Sequence, residues 1–420
     1  MYTFFRKNRR FFMLDILERL NSAVWGAPLI AALLGAGLYY TLRLRFIQLR
    51  LPKMLKSAKK DEKSGKTSLK TVCMSLGASM GTGNIAGTAS ALAVGGAGSL
   101  LWMWVSAFLG MALVYAENTL SAVYSDSKVK GPMAYLTRGT GSRALALFFA
   151  VSCVFASFGM GGMVQVNTFS ESLYSVTGEH RLLTSAAAFL VISAIITGGA
   201  RRIGTAAQYM LPLAGAAYAA VCLPVIWLNR EQLPAVISQI FGEALGFRQA
   251  AGGLAGQAIA VGIRRGIFSN EAGLGSSPLL HSSAENLNEL AIWSMAEVLA
   301  DTLCCTLTGL TVLSACNTYS VADSLTVLIG GASEPFLSAV NGLFALCTVI
   351  GWYYCGESAF LHITRRRARR LFCLTFAAVS ASGALFEAPA VWALSDIFNG
   401  LMAFPNLIGL IMLRKDVGRE

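Results

Sequence analysis

Charged side chains are scarce in this chain of 420 residues, and that scarcity indicates what surrounds the protein. Asp, Glu, Lys and Arg make up 13% of the residues, whereas hydrophobic residues make up 55%. A soluble domain carries about 25% charged residues. The chain has too few charged side chains to cover a surface in water, so we expect lipid to be its solvent. Its length allows roughly ten or more helical spans of about 20 apolar residues each.

Histidine is rarer still, and cysteine forms no paired motif. Three His are too few and too scattered along the sequence for a metal centre. The nine Cys include no C-x-x-C, and we predict packing residues rather than disulfide partners or metal ligands. A membrane enzyme would need a convergent nucleophile and base, or a metal cluster, at one depth, so we do not expect an enzyme. No cleavable signal peptide is predicted, because the charged stretch 15–19 follows the basic start.

The charge that is present lies in short basic runs between apolar stretches. The net charge is +12, but no continuous basic face is indicated, so nucleic-acid binding is not expected. The segment 43–70 carries ten Lys and Arg, and every second loop after it is basic, as expected of cytoplasmic loops. The loop 283–289 is an exception without Lys or Arg. This alternation predicts a bacterial inner-membrane protein with a cytoplasmic C-terminus.

Eleven apolar stretches predict membrane spans. Stretches of about 20 residues suit helices, whereas a barrel strand needs only about ten alternating residues, so we predict an all-α polytopic membrane protein. With eleven spans the N-terminus lies outside, although its basic start favours the cytoplasmic side. A ten-span count, in which residues 23–42 are re-entrant, remains open. The stretches are 23–42, 71–95, 99–123, 144–173, 182–199, 206–228, 251–282, 287–314, 335–362, 368–388 and 389–413.

Two of these stretches are interrupted by glycine and polar residues, at 77–87 and 262–275. Each glycine costs a helix about 1 kcal/mol relative to alanine. Backbone freed from helical bonding in a membrane must line a cavity or pack on protein, and freed amides suit a carboxylate while freed carbonyls suit a cation. The breaks are about 185 residues and five spans apart, as expected of an inverted repeat of two five-span units. Close helix packing through small residues is the alternative.

The residues of these breaks also carry a resemblance to a known family. GTGNIAGTASALAVGGAGSLLWMWVSAFLGMALVYAE at 81–117 resembles the first signature of the alanine/glycine:cation symporter family, and RRGIFSNEAGLGSSPLLHSSA at 264–284 resembles the second. The likeness runs in one register from about residue 14 to the C-terminus, which makes it more specific than a glycine pattern. Further similar stretches are FGMGGMVQVNTF at 158–169, DTLCCTLTGL at 301–310, FALCTVIGWYYCGE at 344–357 and SDIFNGLMAFPNLIGL at 395–410.

The resemblance implies the leucine-transporter fold, a 5+5 inverted repeat whose first and sixth core helices are broken. Residues 1–70 would hold an appendage, one extra helix and a basic loop, residues 71–413 the ten-helix transport core, and residues 414–420 a cytoplasmic tail. The implied function is alternating-access import of a small neutral amino acid, alanine or glycine, coupled to sodium and without a cofactor. Proton-coupled transport of another small solute and a non-transporting amino-acid sensor remain alternatives.

The resemblance also implies, position by position, which residues bind substrate. The unwound part of the first core helix would hold the carboxylate, and that of the sixth would face the amino group and side chain. The indole of Trp352 would close a small apolar pocket and exclude larger side chains. The substrate-binding set is Thr82, Gly83 and Asn84 in the first break, Gln165 in the third core helix, Ile267, Phe268 and Ser269 in the second break, and Thr348 and Trp352 in the eighth core helix.

A sodium ion is implied beside the same breaks, and two positions depart from the family pattern. Cys347 stands where Ser is usual, and sulfur is a poor ligand for a hard cation, so sodium and proton coupling both remain open. Gly162 replaces a more usual Asn three residues before Gln165, which predicts a wider pocket. The implied sodium ligands are Gly81, Asn84, Asn270, Thr302, Cys347 and Thr348.

Acidic residues within membrane spans are functional hypotheses by default. Asp301 is either part of a structural polar network or a cation or proton site. Glu271 is interpreted as a partner of the arginines at 264–265 or as a helix cap. Glu117 and Glu357 are interpreted as capping or ion-pair residues near the cytoplasmic helix ends.

Overall fold

The computed structural model describes residues 15–60, 69–126, 129–178, 181–245, 254–281, 287–316, 318–364 and 367–418. Within these ranges every regular element is a helix, which confirms the all-α prediction. The start of the predicted appendage, up to residue 14, lies outside the described residues.

The helices are numbered here in chain order. A π-helical stretch, Ser157–Val164, joins α6 to α7, so these two helices run as one continuous segment. The helices are α1 (Ala27–Arg43), α2 (Ile47–Lys60), α3 (Leu69–Ser79), α4 (Ala86–Gly95), α5 (Gly98–Tyr124), α6 (Arg143–Ala156), α7 (Gln165–Thr177), α8 (Arg181–Ile196), α9 (Gly199–Leu228), α10 (Leu233–Leu245), α11 (Leu254–Asn270), α12 (Ser277–Leu280), α13 (Leu287–Ala315), α14 (Val321–Ile329), α15 (Ser333–Ile363), α16 (Arg369–Ser382) and α17 (Ala388–Met412).

Seven helical segments in the described part of the chain are long and apolar enough to cross a membrane. They confirm a polytopic membrane protein. The other four predicted spans correspond to α8, to α16 and to two pairs of half-helices, α3–α4 and α11–α12, each of which is shorter. The count of eleven and the 5+5 repeat remain predictions. The seven segments are Asp15–Arg43, Gly98–Tyr124, Arg143–Thr177, Gly199–Leu228, Glu289–Ala315, Val321–Ile363 and Ala388–Met412.

The N-terminal helix α1 lies along α17. Near its start, the Trp25 indole nitrogen donates to the carbonyl of Asp396 at 2.7 Å. Near its end, the Tyr40 hydroxyl donates to the carbonyl of Leu410 at 2.6 Å. Since both helices advance in the same direction between these two contacts, α1 runs beside α17 as a continuous helix. This arrangement favours a full span at 23–42 over the re-entrant alternative.

Contacts between loops place several basic segments at one end of the molecule. Arg43, at the start of the basic segment 43–70, donates from Nε to the carbonyl of Val417 at 3.3 Å. The Tyr124 hydroxyl, at the end of α5, donates to Asp416 Oδ2 at 2.9 Å. The C-terminal tail therefore meets two loops that the charge pattern assigned to the same side of the membrane, as the positive-inside prediction requires.

Three helices form outside the eleven predicted stretches. The helix α2 lies within the basic segment that was predicted as a loop, and α10 and α14 lie between predicted spans. The helix α10 packs on the first turns of α5, where Glu243 Oε2 accepts from the Gly98 amide at 3.2 Å and the Trp102 indole donates to the carbonyl of Ala244 at 3.3 Å.

Candidate functional site

The first predicted break is confirmed. The helix α3 ends at Ser79 and α4 begins at Ala86, and between them the chain makes one 3₁₀ turn, Thr82–Asn84. A Cβ placed on Gly81 would lie 2.5 Å from Thr348 Oγ1 and 2.8 Å from Gln165 Oε1. Only glycine fits between these two polar side chains, and its presence lets them approach the backbone of the break.

The second break lies further along the chain than the prediction placed it. The helix α11 continues to Asn270, so Ile267, Phe268 and Ser269 form its last turn and are not unwound. The non-helical residues are 271–276, where Glu271, Gly273 and Gly275 have φ values of +53°, +86° and +80°. Two of these three residues are glycines, and glycine adopts a positive φ without steric cost. The helix is therefore interrupted where glycines permit this conformation.

The earlier glycines of this segment have a different role. A Cβ on Gly262 would lie 2.4 Å from the carbonyl oxygen of Ser99, and one on Gly266 would lie 2.0 Å from Ser106 Oγ. These two glycines, four residues apart, let α11 approach α5 closely. For residues 262–270 the packing interpretation of the glycines is therefore correct.

The first break carries a buried polar cluster made with α7 and α15. The amide nitrogen and hydroxyl of Thr82 both donate to Gln165 Oε1, at 3.1 and 2.9 Å. The Gln165 side chain is oriented by its own donation to the carbonyl of Met160 at 3.1 Å. The Thr348 hydroxyl donates to the carbonyl of Gly77, at the end of α3, at 2.9 Å. Three implied substrate residues thus surround one stretch of freed backbone.

Asn84 joins the first break to α13 and α11. Its Nδ2 donates to Asp301 Oδ1 at 2.6 Å, and its Oδ1 accepts from the Gly81 amide at 3.1 Å. The other carboxylate oxygen of Asp301 accepts from the Ser269 hydroxyl at 2.7 Å. Asp301 is fully buried, so its carboxyl group lies within a cage formed by the Asn84 amide, the Ser269 hydroxyl and the Cys305 sulfur, which is 3.4 Å from both of them. The carboxylate and hydroxyl oxygens of this cage are ligands of the kind that suits a small cation.

Two of the remaining implied cation ligands, Asn270 and Thr302, adjoin residues of this cage, whereas Cys347 packs on α3. The Thr302 hydroxyl donates to Asn270 Oδ1 at 3.0 Å, which makes a second contact between α13 and the end of α11. Cys347 is buried on α15 next to Thr348, and its Cβ lies 3.2 Å from the position of a Cβ on Gly77. Sequence reasoning left the role of Asp301 open, whereas the structure places its carboxyl group at the centre of the polar contacts.

A resident carboxyl group faces the backbone of the second break. The amides of Gly273 and Gly275 lie close to the carboxyl group of Glu117 on α5, whose Oε2 accepts no hydrogen bond. Asn406 Nδ2 on α17 donates to Glu117 Oε1 at 2.6 Å and to the carbonyl of Gly273 at 2.8 Å. The Tyr135 hydroxyl donates to Asn406 Oδ1. Glu117 is therefore linked to this break through Asn406, which binds both the carboxyl group and the carbonyl of Gly273.

Glu271 does not bind an arginine as predicted. Its Oε1 accepts from the indole nitrogen of Trp352 at 2.7 Å, which fixes the orientation of the fully buried Trp352. The Arg265 guanidinium instead lies 4.8 Å from the ring centre of Trp392, in a cation–π contact. The predicted pairing fails because Glu271 follows the end of α11 and its side chain bonds to α15 instead of to α11. Glu357, by contrast, forms the expected ion pair, with Arg369 Nε at 2.7 Å.

Space beside the first break lies next to Gly83 and not next to Gly162. A Cβ on Gly83 would meet no atom within 4 Å. A Cβ on Gly162 would lie 2.2 Å from Ser380 Oγ, so the side chain of α16 fills the volume that the glycine leaves. The predicted widening of the pocket at Gly162 is therefore wrong.

Comparison with known proteins agrees with this architecture. The model of the sodium:alanine symporter family matches residues 10–420, and the chain belongs to that family. An uncharacterized transporter of Haemophilus influenzae is 38% identical over 97% of this chain and 95% of its own length. The sodium/alanine symporter AgcS of Methanococcus maripaludis is 37% identical over 95% and 94%. The probable sodium/glutamine symporter GlnT of Bacillus subtilis is 35% identical over 96% and 90%.

These comparisons confirm the resemblance that the signatures indicated. The family and the relatives named above are transporters and not enzymes. The chain is accordingly a membrane transporter of the amino-acid and cation symport class.

Proposed function

We propose that this protein imports a small neutral amino acid together with sodium, by alternating access, across the bacterial inner membrane. The observation that carries the proposal is the first break, where freed backbone lies between the Gln165–Thr348 cluster and the Asn84–Asp301 cage. Both parts of a symport reaction, a carboxylate site and a cation site, meet at one interruption of one helix. The 5+5 core at 71–413 and a cytoplasmic C-terminus belong to the same proposal.

The amino-acid carboxylate is proposed to bind the amide and hydroxyl of Thr82. Both groups donate to the neutral amide oxygen of Gln165. A carboxylate oxygen accepts a stronger hydrogen bond than a neutral amide does, so the substrate can take over these donors. The open space next to Gly83 leaves room for the incoming group.

The cation is proposed to bind at Asp301. Its two carboxylate oxygens already accept from Asn84 and Ser269, at 2.6 and 2.7 Å. A monovalent ion at this position would neutralise a charge that is costly to bury alone. Since Asn84 also accepts from the Gly81 amide, the cation would stabilise the conformation of the break that receives the substrate.

The size of the substrate is proposed to be limited by buried aromatic side chains. Trp352 is fully buried and held by Glu271, and Phe268 on α11 is 4% exposed. Rings held in place cannot make room for a branched side chain without strain. We expect glycine, alanine and serine to be accepted. Glutamine is the critical longer candidate, because one relative is named as a probable sodium/glutamine symporter.

The test is uptake of a radiolabelled amino-acid panel by purified protein in proteoliposomes, with and without an inward sodium gradient. We expect Asn84→Ala, Thr348→Ala and Asp301→Asn to abolish uptake while the protein stays folded. Asp323→Asn is the matched control, because Asp323 lies in α14 and contacts Thr318 outside the site. Full transport by all three site variants would remove the site, and strong uptake of leucine or phenylalanine would contradict the size limit.

Two measurements distinguish the alternatives. Replacing sodium by choline at fixed pH stops sodium-coupled uptake but leaves proton-coupled uptake intact. A sensor would bind the amino acid, detected by equilibrium binding, without accumulating it in the vesicles.

A further inference from the structure

A second polar cluster lies beside the two breaks, and the proposed symport mechanism does not use it. It joins four helical segments through Ser75 on α3, Asn118 on α5, His281 just after α12, and Glu297 on α13. The Ser75 hydroxyl donates to Glu297 Oε2 at 2.8 Å, and His281 Nε2 lies 3.0 Å from Glu297 Oε1. His281 and Glu297 are 1% and 6% exposed. From the sequence no role was predicted for His281. The i, i+4 spacing of Glu297 and Asp301 does place both acids on one face of α13.

The hydrogen bonds determine how many protons this pair carries. Asn118 Nδ2 donates to the carbonyl of Val114 at 2.9 Å and to Ser277 Oγ at 2.8 Å, which leaves Oδ1 as the atom facing His281 Nδ1 at 3.1 Å. An amide oxygen only accepts, so Nδ1 must carry a hydrogen. The 3.0 Å contact between Nε2 and Glu297 then needs one more hydrogen, since two lone pairs would repel each other.

The additional hydrogen can lie on His281 or on Glu297, and the pair carries the same number of protons in both cases. Either the imidazole is protonated on both nitrogens and Glu297 is a carboxylate, or the imidazole is neutral and Glu297 is a carboxylic acid. In each case the pair holds one proton more than a neutral His beside an ionised Glu. Losing that proton would leave a net negative charge, buried and opposed by a lone pair, which is strongly unfavourable.

A small cavity connects this pair to the second break. Its volume is about 10 Å³, which suits about one water molecule. Glu297 lines one part of it and Glu271 another, with the hydroxyls of Ser75, Ser79, Ser277 and Ser294 around them. A water molecule there would have several polar partners and would give the proton a route away from Glu297. The titratable groups that face the pair are Cys73 on α3 and Glu271 at the second break, and Asp301 lies one helical turn along α13 from Glu297.

We propose that His281 and Glu297 form a proton-binding site that holds α3 against α12 and α13. In the conformation described here the pair is protonated and neutral, and Ser75 ties α3 to it. When α3 moves away from α13, water reaches the pair, the proton passes to that water, and Glu297 is left as a carboxylate beside a neutral His281. The transporter thus carries a proton-dependent contact beside its proposed sodium site, which goes beyond the proposed function.

The proton count can be tested without any transport. Purified protein in mild detergent is unfolded with a denaturing detergent in weakly buffered solution near pH 8, and released protons are counted with an indicator dye. Because a free His and a free Glu hold no such proton at that pH, we expect wild type to release about one proton more than Glu297→Gln. The Gln amide donates to His281 and accepts from Ser75, so it replaces every hydrogen bond of the protonated pair. His362→Gln on α15 is the matched control and should release the same number as wild type.

The pH dependence of unfolding gives an independent readout. Between about pH 7 and about pH 9, the unfolding equilibrium constant of wild type should rise by up to tenfold more per pH unit than that of Glu297→Gln. His281→Gln should lose the same slope, since its amide donates to an ionised Glu297 without an added proton. This second variant keeps the test valid should Glu297→Gln fail to fold.

Equal proton release and equal pH slopes in wild type and the two variants would overturn the proposal. The proposal would also be overturned if His362→Gln released fewer protons and had a lower pH slope than wild type as the two variants do, because the effect would not then belong to this pair. Radiolabelled uptake by the same preparations separates the two proposals. A confirmed proton count without amino-acid uptake by wild type leaves this site standing and refutes the proposed function.

Discussion

The freed backbone amides of the two breaks face oxygens of different chemistry. At the second break, the amides of Gly273 and Gly275 lie close to the carboxyl group of Glu117, and Asn406 donates to the same group. At the first break, the amide of Thr82 donates to the side-chain amide oxygen of Gln165. One break therefore contains its own carboxyl group, and the other contains a neutral substitute for one.

This difference indicates which break receives a ligand. A carboxyl group with several donors is a strong acceptor that an incoming carboxylate has no reason to displace. An amide oxygen is weaker, and the donors it occupies remain available for exchange. Under the proposed function, two helix interruptions that look alike in the sequence have different roles: the second maintains a fixed bend, and the first binds and releases substrate.

The largest expected effect comes from removing the resident carboxyl group. Glu117→Ala leaves the Asn406 amide without its acceptor and removes the carboxyl group that the amides of Gly273 and Gly275 face, at about 1–3 kcal/mol for each buried group left unpaired. We expect little or no monodisperse protein by size-exclusion chromatography, and a strongly lowered thermal midpoint for any that is recovered. Glu334→Ala, an exposed residue in the first turn of α15, should change stability by less than about 1 kcal/mol. A stable Glu117→Ala protein would contradict the structural role of the second break.

The next effect concerns the first break and should change transport without changing the fold. Gln165→Glu places a negative charge where the substrate carboxylate is proposed to bind, and opposing like charges costs several kcal/mol. We expect at least about a hundredfold loss of apparent substrate affinity in proteoliposome uptake, with an unchanged elution profile. Gln232→Glu, in the turn before α10, should transport like wild type. Normal affinity in Gln165→Glu would show that the carboxylate does not replace Gln165.

A third prediction compares a glycine in the second break with a glycine inside a helix. Gly275 has a φ of +80°, and a Cβ there would lie 2.8 Å from Pro132 and 2.9 Å from Phe149. Gly275→Ala should destabilise the protein by about 1–3 kcal/mol from backbone strain alone, measured as a lowered unfolding midpoint. Gly87→Ala, in α4 with no atom within 4 Å, should be neutral or stabilise by up to about 1 kcal/mol. Equal midpoints for the two variants would show that the second break is not held in this conformation.

The smallest expected effect tests how the cation site is tuned. Cys347→Ser restores an oxygen next to Thr348, so we expect the sodium concentration for half-maximal uptake to fall by a few-fold, within the factor of ten that about 1.4 kcal/mol provides. Cys355→Ser should leave the sodium dependence unchanged, because the Cys355 sulfur lies near the carbonyl of Ser276 at the end of the second break and not at the first break. Identical sodium dependence in the two variants would exclude Cys347 from the cation site.

Composition and signatures were sufficient for the coarse architecture and for much of the site. Low charge, long apolar stretches and two glycine-rich interruptions predicted a polytopic helical protein with broken helices, and the first break lies where expected. Asn84, Gln165 and Thr348 do lie around it. Such features are local, since each depends on residues adjacent in the sequence.

What the sequence could not supply were contacts between distant segments. Gly262, Gly266 and Gly273 are the same residue type in one stretch, yet two pack α11 on α5 and only the third has a positive φ. The choice of Trp352 rather than an arginine as partner of Glu271 depends on where the side chain points after the helix ends. Ser380 filling the space next to Gly162 depends on α16, more than two hundred residues away.

The first and last long helices of the chain are bonded to each other near both of their ends. Hydrogen bonds at Trp25 and Tyr40 tie α1 to α17 over most of its length, and Arg43 reaches the tail beyond it. A tilt of α17 must therefore either break these hydrogen bonds or move α1 with it. A spectroscopic label placed on the lipid-facing side of α1 would distinguish the two outcomes, at a position far from the residues proposed to bind substrate.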